Sequence, residues 1–481
     1  MKDTCVQRAA RTDASETYAG KSVLVVGLAR SGLAAARFLA RAGARVTATD
    51  LRSADELPTE VRELQALGIR LVLGGHPPGL ASRTDLVVTS PGVPPSSVPL
   101  DEAVRRGVPV WGELELAYRE IRDPEAFVIA ITGTKGKSTT STLVFEILKR
   151  AGRKVALGGN IGRPLLDVVA GAATGTTFVV EVSSFQLETV DAFRAQGAVL
   201  LNVAPDHLDR YPSYEAYVRA KERLFARQDD RDWAVVYGAN PLTVNMASRA
   251  KSRKVFFSMD CLPGSTAQLY TDGPWIVKHD DGRTTGLVSI EAIPLRGRHN
   301  VENTMAAVAV ADLMGVEPEV IREAVAAFSG ISHALEKVAE LRGVSFYNDS
   351  KATNVAAASA ALSSFEQGVI LILGGRSKGD TFEALRDEVS RKVKQIIALG
   401  ESRDRVYEVF AGVVPVTRCT SLREAVEVAF AEARPGDTVL LSPACASFDM
   451  FRDYADRGEQ FRREVERLER GLSEPPAGRP S

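Results

Sequence analysis

The feature of this 481-residue chain that most restricts its fold is the regular alternation of apolar strand-like runs with helix-like runs. The alternation begins near residue 20 and continues along nearly the whole chain, without an internal repeat or a long low-complexity segment. Such a pattern is typical of parallel sheets covered by helices. At roughly 150 residues for each domain, the length favours about three domains. The sequence therefore predicts an α/β protein with three domains.

The strand-like and helix-like runs fall into three blocks, and each block is expected to form one domain. The first block spans residues 1–124, of which residues 1–19 are expected to form a flexible polar tail. The second block spans residues 125–329, and the third spans residues 330–470. Residues 471–481 are rich in Gly, Pro and Ser, so we expect disorder there.

Composition and charge exclude several classes of function. The 60 basic and 61 acidic residues leave a net charge of -1, which gives no electrostatic reason to expect nucleic acid or an anionic membrane as partner. No apolar run approaches the ~20 residues of a membrane span, and the first residues lack the apolar core of a signal peptide. The four cysteines form no C-x-x-C pair, so we expect neither zinc nor a redox site. A cytoplasmic protein is expected.

A glycine-rich loop, "TGTKGKST", stands between the strand-like run "FVIAI" and the helix-like run "TLVFEILKRAG". Ligands of open parallel sheets gather at the carboxyl ends of strands, where this loop would lie. Gly133 and Gly136 would let backbone N–H groups turn towards an anion, and the helix would add the positive end of its dipole. Lys137 could then reach the β- and γ-phosphates of a nucleotide, and the Ser138 hydroxyl could bind Mg²⁺.

The spacing of this loop departs from the common phosphate-binding pattern. G-x-x-x-x-G-K-[ST] has four residues between its glycines, whereas this loop has two. The alternative is a glycine turn followed by an ordinary helix N-cap. The strand before the loop and the helix after it favour phosphate binding. The loop alone does not distinguish hydrolysis, kinase chemistry and ligation.

Three further residues of the second block are candidates for chemistry. Glu181 interrupts an apolar strand, where a carboxylate is costly unless a partner such as a metal ion pairs with it; the alternative is a strand-edge glutamate facing water. His207 follows another strand, a place where a histidine is more often a cap or packing residue. Lys221 lies on the apolar stripe of a predicted helix, at i+7 from Tyr214 and i+4 from Tyr217.

The position of Lys221 permits two interpretations. A lysine on an apolar stripe usually extends its charge to solvent. A partly buried lysine instead has a lowered pKa and can be a neutral amine. A neutral amine can take up CO₂ to form a carbamate, which would turn a cation into an oxygen ligand for a metal.

The first block begins with "VVGLARSG", which is similar to a dinucleotide-binding turn. The pattern G-x-G-x-x-G requires glycine at position 29, where this chain has Ala29. The middle glycine allows close approach of a pyrophosphate, so its absence weakens the interpretation as a dehydrogenase. Asp50 still ends the second predicted strand, where an acid that contacts a ribose or base would lie.

Six segments in order, "GTKGKST", "GGNIG", "EVSSFQLET", "NVAPDHLDRY", "NDSKATN" and "LLSPACASFDMF", resemble the Mur ligases, the ATP-dependent amide-forming enzymes of peptidoglycan synthesis. The resemblance extends from about residue 22 to about residue 470, and the short phosphate loop is the family's own form. It implies an α/β fold of three domains: a Rossmann-like N-terminal UDP-binding domain, a central P-loop mononucleotide-binding domain and a Rossmann-like C-terminal domain.

The resemblance also implies an activity. "DSKATN" and "SPACASF" favour the branch that adds D-glutamate to UDP-N-acetylmuramoyl-L-alanine through an acyl phosphate, a step tied to cell shape and division. The alternatives are another Mur-family ligase or, from a different class, a P-loop kinase or NTPase. The implied cofactors are ATP, two Mg²⁺ ions and a carbamylated Lys221. The implied partners are UDP-MurNAc-L-Ala, D-Glu and ATP, without nucleic acid or membrane insertion, and a monomer is expected.

Roles of individual residues follow from the same resemblance. ATP would be bound by the residues Gly133, Thr134, Lys135, Gly136, Lys137, Ser138, Thr139, Asn303 (adenine) and Asp349 (ribose). Catalysis would depend on Lys137, Glu181, His207 and Lys221. Mg²⁺ would be bound by Ser138, Glu181, His207 and the carbamate of Lys221. The sugar nucleotide would contact Arg30, Ser31, Asp50, Arg52, Gly92, Asn160 and His207.

The third block would bind D-glutamate, whose two carboxylates require cations and hydroxyl groups. The implied residues are Lys351, Thr353, Lys378, Ser447, Phe448 and Tyr454. Thr353 is expected near a helix N-terminus, which suits an anion. Without the resemblance, ordinary capping residues and surface lysines would explain these positions equally well.

The sequence departs from the family pattern in two places. Members often carry H-R-x-E near the start of the third block, and that arginine reaches an ATP phosphate. This chain has "HALE", with Ala334 at the arginine position, so another cation such as Lys351 must cover the charge or ATP binds less tightly. In addition, "GGRSKGD" lacks the aspartate that is common beside the lysine matched by Lys378.

Overall fold

The computed structural model describes residues 17–57, 60–208, 210–295, 297–377 and 381–473. The chain divides into two compact units, one ending at Phe328 and the other beginning at Ser329. Within the described ranges, every helix is too short or too polar to cross a membrane.

The first unit contains two sheets, of which the smaller has five parallel strands in the order β3-β2-β1-β4-β5. Its strands are β1 (Ser22–Val26), β2 (Arg45–Asp50), β3 (Arg70–Leu73), β4 (Leu86–Thr89) and β5 (Val110–Gly112). The helices of this part are α1 (Arg30–Arg41), α2 (Glu60–Glu63), α3 (Val98–Arg106) and α4 (Glu113–Glu120). The central strands are buried on both faces, as expected for a parallel sheet covered by helices.

The larger sheet of the first unit has nine strands in the order β14-β13-β12-β11-β10-β9-β6-β8-β7. Its strands are β6 (Phe127–Thr132), β7 (Val155–Gly159), β8 (Thr177–Glu181), β9 (Gly197–Leu200), β10 (Trp233–Tyr237), β11 (Arg253–Phe257), β12 (Ala267–Asp272), β13 (Trp275–Asp280) and β14 (Arg283–Ser289). Its helices are α5 (Lys137–Arg150), α6 (Leu165–Ala170), α7 (Ser184–Leu187), α8 (Tyr214–Glu222), α9 (Pro241–Ser248), α10 (Arg298–Leu313) and α11 (Pro318–Ala327). All pairings are parallel except those joining β12, β13 and β14.

Strand β6 separates two hydrophobic cores because its side chains alternate between the faces of the sheet. Val128 and Ala130 pack into a core shared with the five-stranded sheet. Ile129 and Ile131 pack into a second core, with helices α5 and α10. The carboxyl end of β6 is thus packed against a hydrophobic core on each face of the sheet.

The second unit contains a six-stranded sheet in the order β15-β16-β20-β17-β18-β19, parallel except for the β15–β16 pair. Its strands are β15 (Glu336–Leu341), β16 (Val344–Asn348), β17 (Val369–Leu373), β18 (Val393–Ala398), β19 (Val416–Arg418) and β20 (Thr438–Leu441). Its helices are α12 (Val355–Ser363), α13 (Arg386–Lys392), α14 (Arg403–Phe410), α15 (Leu422–Glu432) and α16 (Tyr454–Ser473). Among the described residues of both units, short 3₁₀ turns occupy Leu64–Leu67, Arg223–Phe225, Ile290–Ala292 and Phe382–Leu385.

The predicted α/β architecture with parallel sheets is confirmed. One residue differs from expectation at the start of the chain. Tyr18 falls within the range expected to be a flexible tail, yet it is buried and its ring packs edge-on against Phe38 with ring centroids 5.9 Å apart. A single aromatic side chain in a polar segment gives little sign in the sequence that it will find this contact.

Candidate active site

The glycine-rich loop leaves the carboxyl end of β6 and enters helix α5 at Lys137. Gly136 precedes the helix with φ of 83°, in the left-handed region that favours glycine. The Nζ atom of Lys137 donates hydrogen bonds to the carbonyl oxygens of Gly133 at 3.0 Å and Thr134 at 2.9 Å. Burial lowers the pKa of Lys137, and nearby carboxylates oppose that effect. Residues 133–139 thus place an ammonium group and a positive helix terminus at one edge of the sheet.

The loop is braced by Asn202, which follows β9. The Asn202 side chain accepts a hydrogen bond from the backbone N–H of Lys135 at 2.9 Å and donates one to its carbonyl at 3.0 Å. The Thr134 hydroxyl lies 2.9 Å from the Tyr217 hydroxyl and accepts from the backbone N–H of Ala204 at 3.0 Å. No local pattern in the sequence marks Asn202, because its position beside the loop depends on the pairing of β6 with β9.

Asn303 on helix α10 lies directly against the loop. A Cβ atom added to Gly136 would stand 2.2 Å from Oδ1 of Asn303, so any other residue at position 136 would require the Asn303 side chain to move. Asn303 is buried, and its side-chain amide donates to Oδ1 of Asn300 at 3.3 Å. The contact brings the residue predicted to bind adenine to the predicted phosphate loop.

Glu181 ends strand β8 and is only 2% exposed. Its Oε1 accepts a hydrogen bond of 2.7 Å from the side chain of Asn160, which follows β7. Its Oε2 is buried and has no hydrogen-bond partner among the described residues. A buried carboxylate oxygen without a partner is costly, and a divalent cation would satisfy it. No three His, Cys, Asp or Glu side chains of the described ranges form a metal-binding group by themselves.

Lys221 on helix α8 is 1% exposed, so its side chain does not extend to solvent. Its Nζ donates to the carbonyl of Gly133 at 3.0 Å and to the hydroxyl of Thr132 at 3.4 Å, and it stands 4.8 Å from the ring centroid of Tyr217. Burial, and secondarily the charge of Lys137, lowers the pKa of Lys221 to about 7. A large fraction of this amine is therefore neutral near neutral pH.

His207 lies after β9 with φ of 54°, an uncommon backbone conformation for a residue other than glycine. Its ring centroid is 4.8 Å from that of Phe185 and 6.3 Å from that of Tyr217. Its Nε2 lies 3.7 Å from a carboxylate oxygen of Asp206, and roughly half of the side chain is exposed. Asp206, which is not among the residues predicted from the sequence, precedes His207 in the segment after β9.

On the five-stranded sheet, Asp50 organises the turn after β1. Its carboxylate accepts hydrogen bonds from the backbone N–H of Leu28 at 2.7 Å and from the Nε of Arg52 at 3.0 Å. Burial raises the pKa of Asp50, but the hydrogen bonds from Arg52 and Leu28 outweigh burial and hold this pKa below its usual value. The carboxylate is therefore ionised and fixes the glycine turn.

The remaining residues predicted to contact the sugar nucleotide surround the same turn. Arg30 begins helix α1, and its Nη1 donates to the carbonyl of Gly162 at 2.9 Å, in the loop that also carries Asn160. Ser31 is the next residue of the helix. Gly92 lies in the turn after β4, and a Cβ atom added there would meet nothing within 4 Å.

In the second unit, Asp349 follows strand β16 and is buried. Its Oδ2 accepts from the Ser442 hydroxyl at 2.8 Å, and its Oδ1 accepts from the backbone N–H of Leu335 at 3.1 Å. Burial raises the pKa of Asp349 to about 7, against these hydrogen bonds.

Thr353 lies just before helix α12, as predicted. The helix begins at Val355, with Asn354 as its N-cap, whose side chain accepts from the backbone N–H of Ala357 at 2.8 Å. Lys351 lies in the preceding turn, where its backbone N–H donates to the carbonyl of His333 at 2.9 Å.

The other residues predicted to bind the amino acid differ in exposure. Ser447 is buried in the loop after β20, whereas Phe448 is 63% exposed and Tyr454, at the start of α16, is 39% exposed. Lys378, also predicted to contact D-glutamate, lies outside the described residues.

Arg457 on α16 is a further charged residue of this region that the sequence analysis did not identify. It is 2% exposed, and burial lowers its pKa to about 10. Its Nε donates to the Ser350 hydroxyl at 2.8 Å, and its Nη atoms donate to the carbonyl of Cys445 at 3.1 Å. The guanidinium group thus joins the loop containing Lys351 to the loop containing Ser447.

The glycine-rich loop, the parallel strand before it and the helix after it define a P-loop α/β protein. Family models match three segments: the MurD-like Mur ligase N-terminal domain at residues 21–112, the Mur ligase middle domain at residues 131–311 and the Mur ligase glutamate ligase domain at residues 335–445. The chain belongs to the Mur ligase family, which confirms the resemblance of its motifs.

Named relatives match almost the whole chain. A UDP-N-acetylmuramoylalanine--D-glutamate ligase of Acidobacterium capsulatum is 44% identical over 443 residues, 92% of this chain and 95% of that protein. A ligase of the same name from Pelotomaculum thermopropionicum is 43% identical over 458 residues, 94% of this chain and 99% of that protein. Among solved structures, UDP-N-acetylmuramate-alanine ligase from Thermotoga maritima shares the fold with a TM-score of 0.54 at 18% identity, covering 94% of this chain and 100% of its own.

Proposed function

We propose that this protein joins D-glutamate to UDP-N-acetylmuramoyl-L-alanine at the expense of ATP, a step of peptidoglycan synthesis. The proposal is supported by relatives of that name that are 44% and 43% identical over more than nine-tenths of the chain. The structural observation that carries it is the convergence of Lys137 and Lys221 on the phosphate loop, beside the buried carboxylate of Glu181. Such a site suits a reaction in which negative charge on phosphate must be neutralised.

The triphosphate of ATP would bind at residues 133–139. Its oxygens would replace the loop carbonyls that now accept from Lys137, and they would accept from the N–H groups at the start of α5. Glu181 fits Mg²⁺ there, because its Oε2 is buried without a partner among the described residues. Ser138 is proposed as a second ligand of that ion. When bound, Mg²⁺ would neutralise charge on the transferred phosphoryl group. Asn303 and Asp349 are proposed to contact adenine and ribose.

The proposed reaction has two steps. An oxygen of the alanyl carboxylate attacks the γ-phosphorus, the bond to the β-γ bridging oxygen breaks, and ADP leaves. The neutral amine of D-glutamate then attacks the carbonyl carbon of the acyl phosphate, and the nitrogen releases a proton to solvent. The tetrahedral intermediate collapses to the amide as its bond to the phosphate oxygen breaks, and inorganic phosphate leaves. No protein nucleophile is required, so the residues act by orienting reactants and by stabilising developing charge.

Lys221 is proposed to carry a carbamate that, together with His207, would hold a second Mg²⁺. This proposal is supported by the burial of Lys221 and by its pKa of about 7. A neutral amine is the form that reacts with CO₂. The carbamate would also relieve the repulsion between two adjacent ammonium groups.

The sugar nucleotide is proposed to bind at the carboxyl edge of the five-stranded sheet. Arg30, Ser31, Asp50 and Gly92 lie there, and Arg52 is joined to Asp50 by hydrogen bonds of 2.9 Å and 3.0 Å. D-Glutamate is proposed to bind on the second unit, at the residues Lys351, Thr353, Lys378, Ser447, Phe448 and Tyr454. The three predicted domains, 1–124, 125–329 and 330–470, would then each bind one substrate. A monomer working in the cytoplasm is proposed.

Phosphate release tests the function directly. The protein is incubated with ATP, Mg²⁺ and UDP-N-acetylmuramoyl-L-alanine, and D-Glu, L-Glu, L-Ala and diaminopimelate are added in turn. Of the four amino acids, we expect only D-Glu to cause phosphate release. The Lys137→Ala variant should lose about 10²–10³-fold or more in kcat. Lys149→Ala, at the exposed far end of α5, is the matched control and should leave kcat unchanged. Phosphate release without any amino acid would instead indicate an NTPase, and ADP formation without phosphate release would indicate a kinase.

A further inference from the structure

Arg210 joins two parts of the first unit that come from different sheets. Its Nη2 donates to Oε2 of Glu188 at 3.0 Å, and both side chains are less than one-fifth exposed. The same nitrogen donates to the carbonyl of Val93 at 3.2 Å, in the loop after β4 of the five-stranded sheet. The guanidinium carbon stands 5.0 Å from the ring centroid of Phe185, a distance at which cation and ring attract.

On the side of the five-stranded sheet, Val93 is packed against the glycine turn after β1. A Cβ atom added to Gly27 would stand 2.7 Å from Cγ2 of Val93, so the two segments are in close contact. The Ser90 hydroxyl of the same loop donates to the carbonyl of Gly27 at 2.8 Å. Arg210 therefore holds the loop that carries Gly92 and supports the turn that leads to Arg30.

On the side of the nine-stranded sheet, Arg210 belongs to the turn that holds His207. The backbone N–H groups of Arg210 and Tyr211 both donate to the carbonyl of His207 at 3.0 Å. The Phe185 ring that contacts the guanidinium group also contacts the His207 ring, with ring centroids 4.8 Å apart. The residue with this unusual positive φ, His207, therefore has a carbonyl group that accepts two backbone hydrogen bonds and a ring that contacts the same Phe185 side chain as Arg210.

We infer that Arg210 is a positioning residue that ties the sugar-nucleotide loop around Gly92 to the turn around His207. This inference rests on the proposed function. One guanidinium group fixes the position of the Val93 carbonyl relative to the Glu188 carboxylate. The reacting end of the sugar nucleotide is thereby kept at a constant position relative to His207. A lysine carries the same charge but lacks the planar fork, so it satisfies only part of this set of contacts.

Steady-state kinetics of Arg210→Met and Arg210→Lys test the role. Loss of hydrogen bonds to a charged group predicts a rise of about 10–100-fold in KM for the sugar nucleotide and a fall in kcat, with KM for D-Glu unchanged. Arg210→Lys should recover part of both effects. Arg227→Met is the matched control, because Arg227 also contacts a carbonyl and a carboxylate, at 2.8 Å and 3.3 Å, but both belong to Asp191.

Calorimetric titration with UDP-N-acetylmuramoyl-L-alanine separates this inference from the proposed function. If the native protein does not bind the compound, the proposed function fails. If the native protein binds it and both Arg210 variants keep native KM and kcat, the positioning role is wrong. If Arg210→Met does not fold, Arg210→Lys decides: a selective rise in KM for the sugar nucleotide supports the role, and native or uniformly reduced kinetics overturn it.

Discussion

The side chains of Lys137 and Lys221 share one acceptor: each Nζ lies 3.0 Å from the carbonyl oxygen of Gly133. Two ammonium groups this close repel each other, and both are largely removed from water. Release of a proton from one of them relieves the repulsion. Lys221 has the pKa of about 7, so it is the one that becomes neutral in the physiological range.

The proposed carbamylation of Lys221 can be tested directly. In protein equilibrated with ¹³C-bicarbonate, we expect a carbamate resonance that grows between about pH 6 and about pH 8, because only the neutral amine reacts. Activity should rise with added bicarbonate over the same range. The resonance should be absent from Lys221→Arg, whose guanidinium group stays protonated. Full activity of Lys221→Ala would exclude an essential carbamate.

Gly136→Ala should impair nucleotide binding more than its backbone strain alone explains. An alanine at position 136 would have to adopt a φ of 83°, and its Cβ would also stand 2.2 Å from Oδ1 of Asn303. Gly152→Ala is the matched control: its φ is 73°, and its Cβ would meet nothing within 4 Å. The control should lose about 1–2 kcal/mol of stability and keep its KM for ATP. Thermal unfolding and KM for ATP measure the two effects; equal KM values in both variants would contradict the role of Asn303.

Asp349 should make the stability of the protein depend on pH. The folded-state pKa of Asp349 is about 7 and lies above the ordinary value of 3.8, so the folded protein binds this proton more tightly than the unfolded chain does. The resulting contribution to the free energy of unfolding is complete below pH 3.8 and is lost as pH rises through 7. Each unit of difference corresponds to about 1.4 kcal/mol. Asp349→Asn should therefore gain stability relative to the native protein as pH rises from about 4 to about 7, and the difference should stay level above that.

Calorimetric unfolding across that range measures the effect of Asp349. Asp404→Asn serves as control, since it removes an exposed carboxylate of the same unit, one that contacts Arg418 at 3.1 Å. A melting-temperature difference between Asp349→Asn and the native protein that stays constant with pH would show that burial does not raise this pKa.

Ala334→Arg would place a cation at the position where the resemblance of the motifs to the Mur ligases implies an arginine. Ala334 is partly exposed, so the longer side chain can be accommodated. If the missing charge weakens ATP binding, KM for ATP should fall by up to about 10-fold, equivalent to about 1.4 kcal/mol. Ser332→Arg adds the same charge at an exposed neighbouring position and should leave KM unchanged. An equal KM in both variants would indicate that another cation, such as Lys351, already covers the phosphate.

The parts of the site that the sequence could predict are those with a local signal. The glycines and Lys137 stand between a strand and a helix, Glu181 interrupts an apolar strand, and Lys221 lies on an apolar stripe of α8. Burial of Glu181 and Lys221 agrees with these patterns. The alternation of strands and helices similarly sufficed to predict parallel sheets, because each run carries its own periodicity.

The parts that the sequence could not predict depend on contacts between distant segments. Asn202 braces the phosphate loop only because β9 pairs with β6, and Asn303 reaches Gly136 only because α10 packs on α5. Arg210 and Arg457 resemble ordinary surface arginines until the fold encloses them. The contacts of Asn202 with Lys135, Asn303 with Gly136, Arg210 with Val93 and Arg457 with Ser350 all join residues more than sixty positions apart in sequence, beyond the reach of any local pattern.

The order β9-β6-β8 in the nine-stranded sheet sets the distance between the segments that follow β9 and β8. Adjacent strands are about 4.8 Å apart, so the segments carrying His207 and Glu181 emerge about 10 Å from each other with the glycine-rich loop midway. Hydrogen bonds between backbones, rather than any one side chain, maintain this interval. The sequences of the outer helices can therefore diverge widely among descendants of one ancestor, while the distance between the segments on either side of the bound triphosphate stays constant.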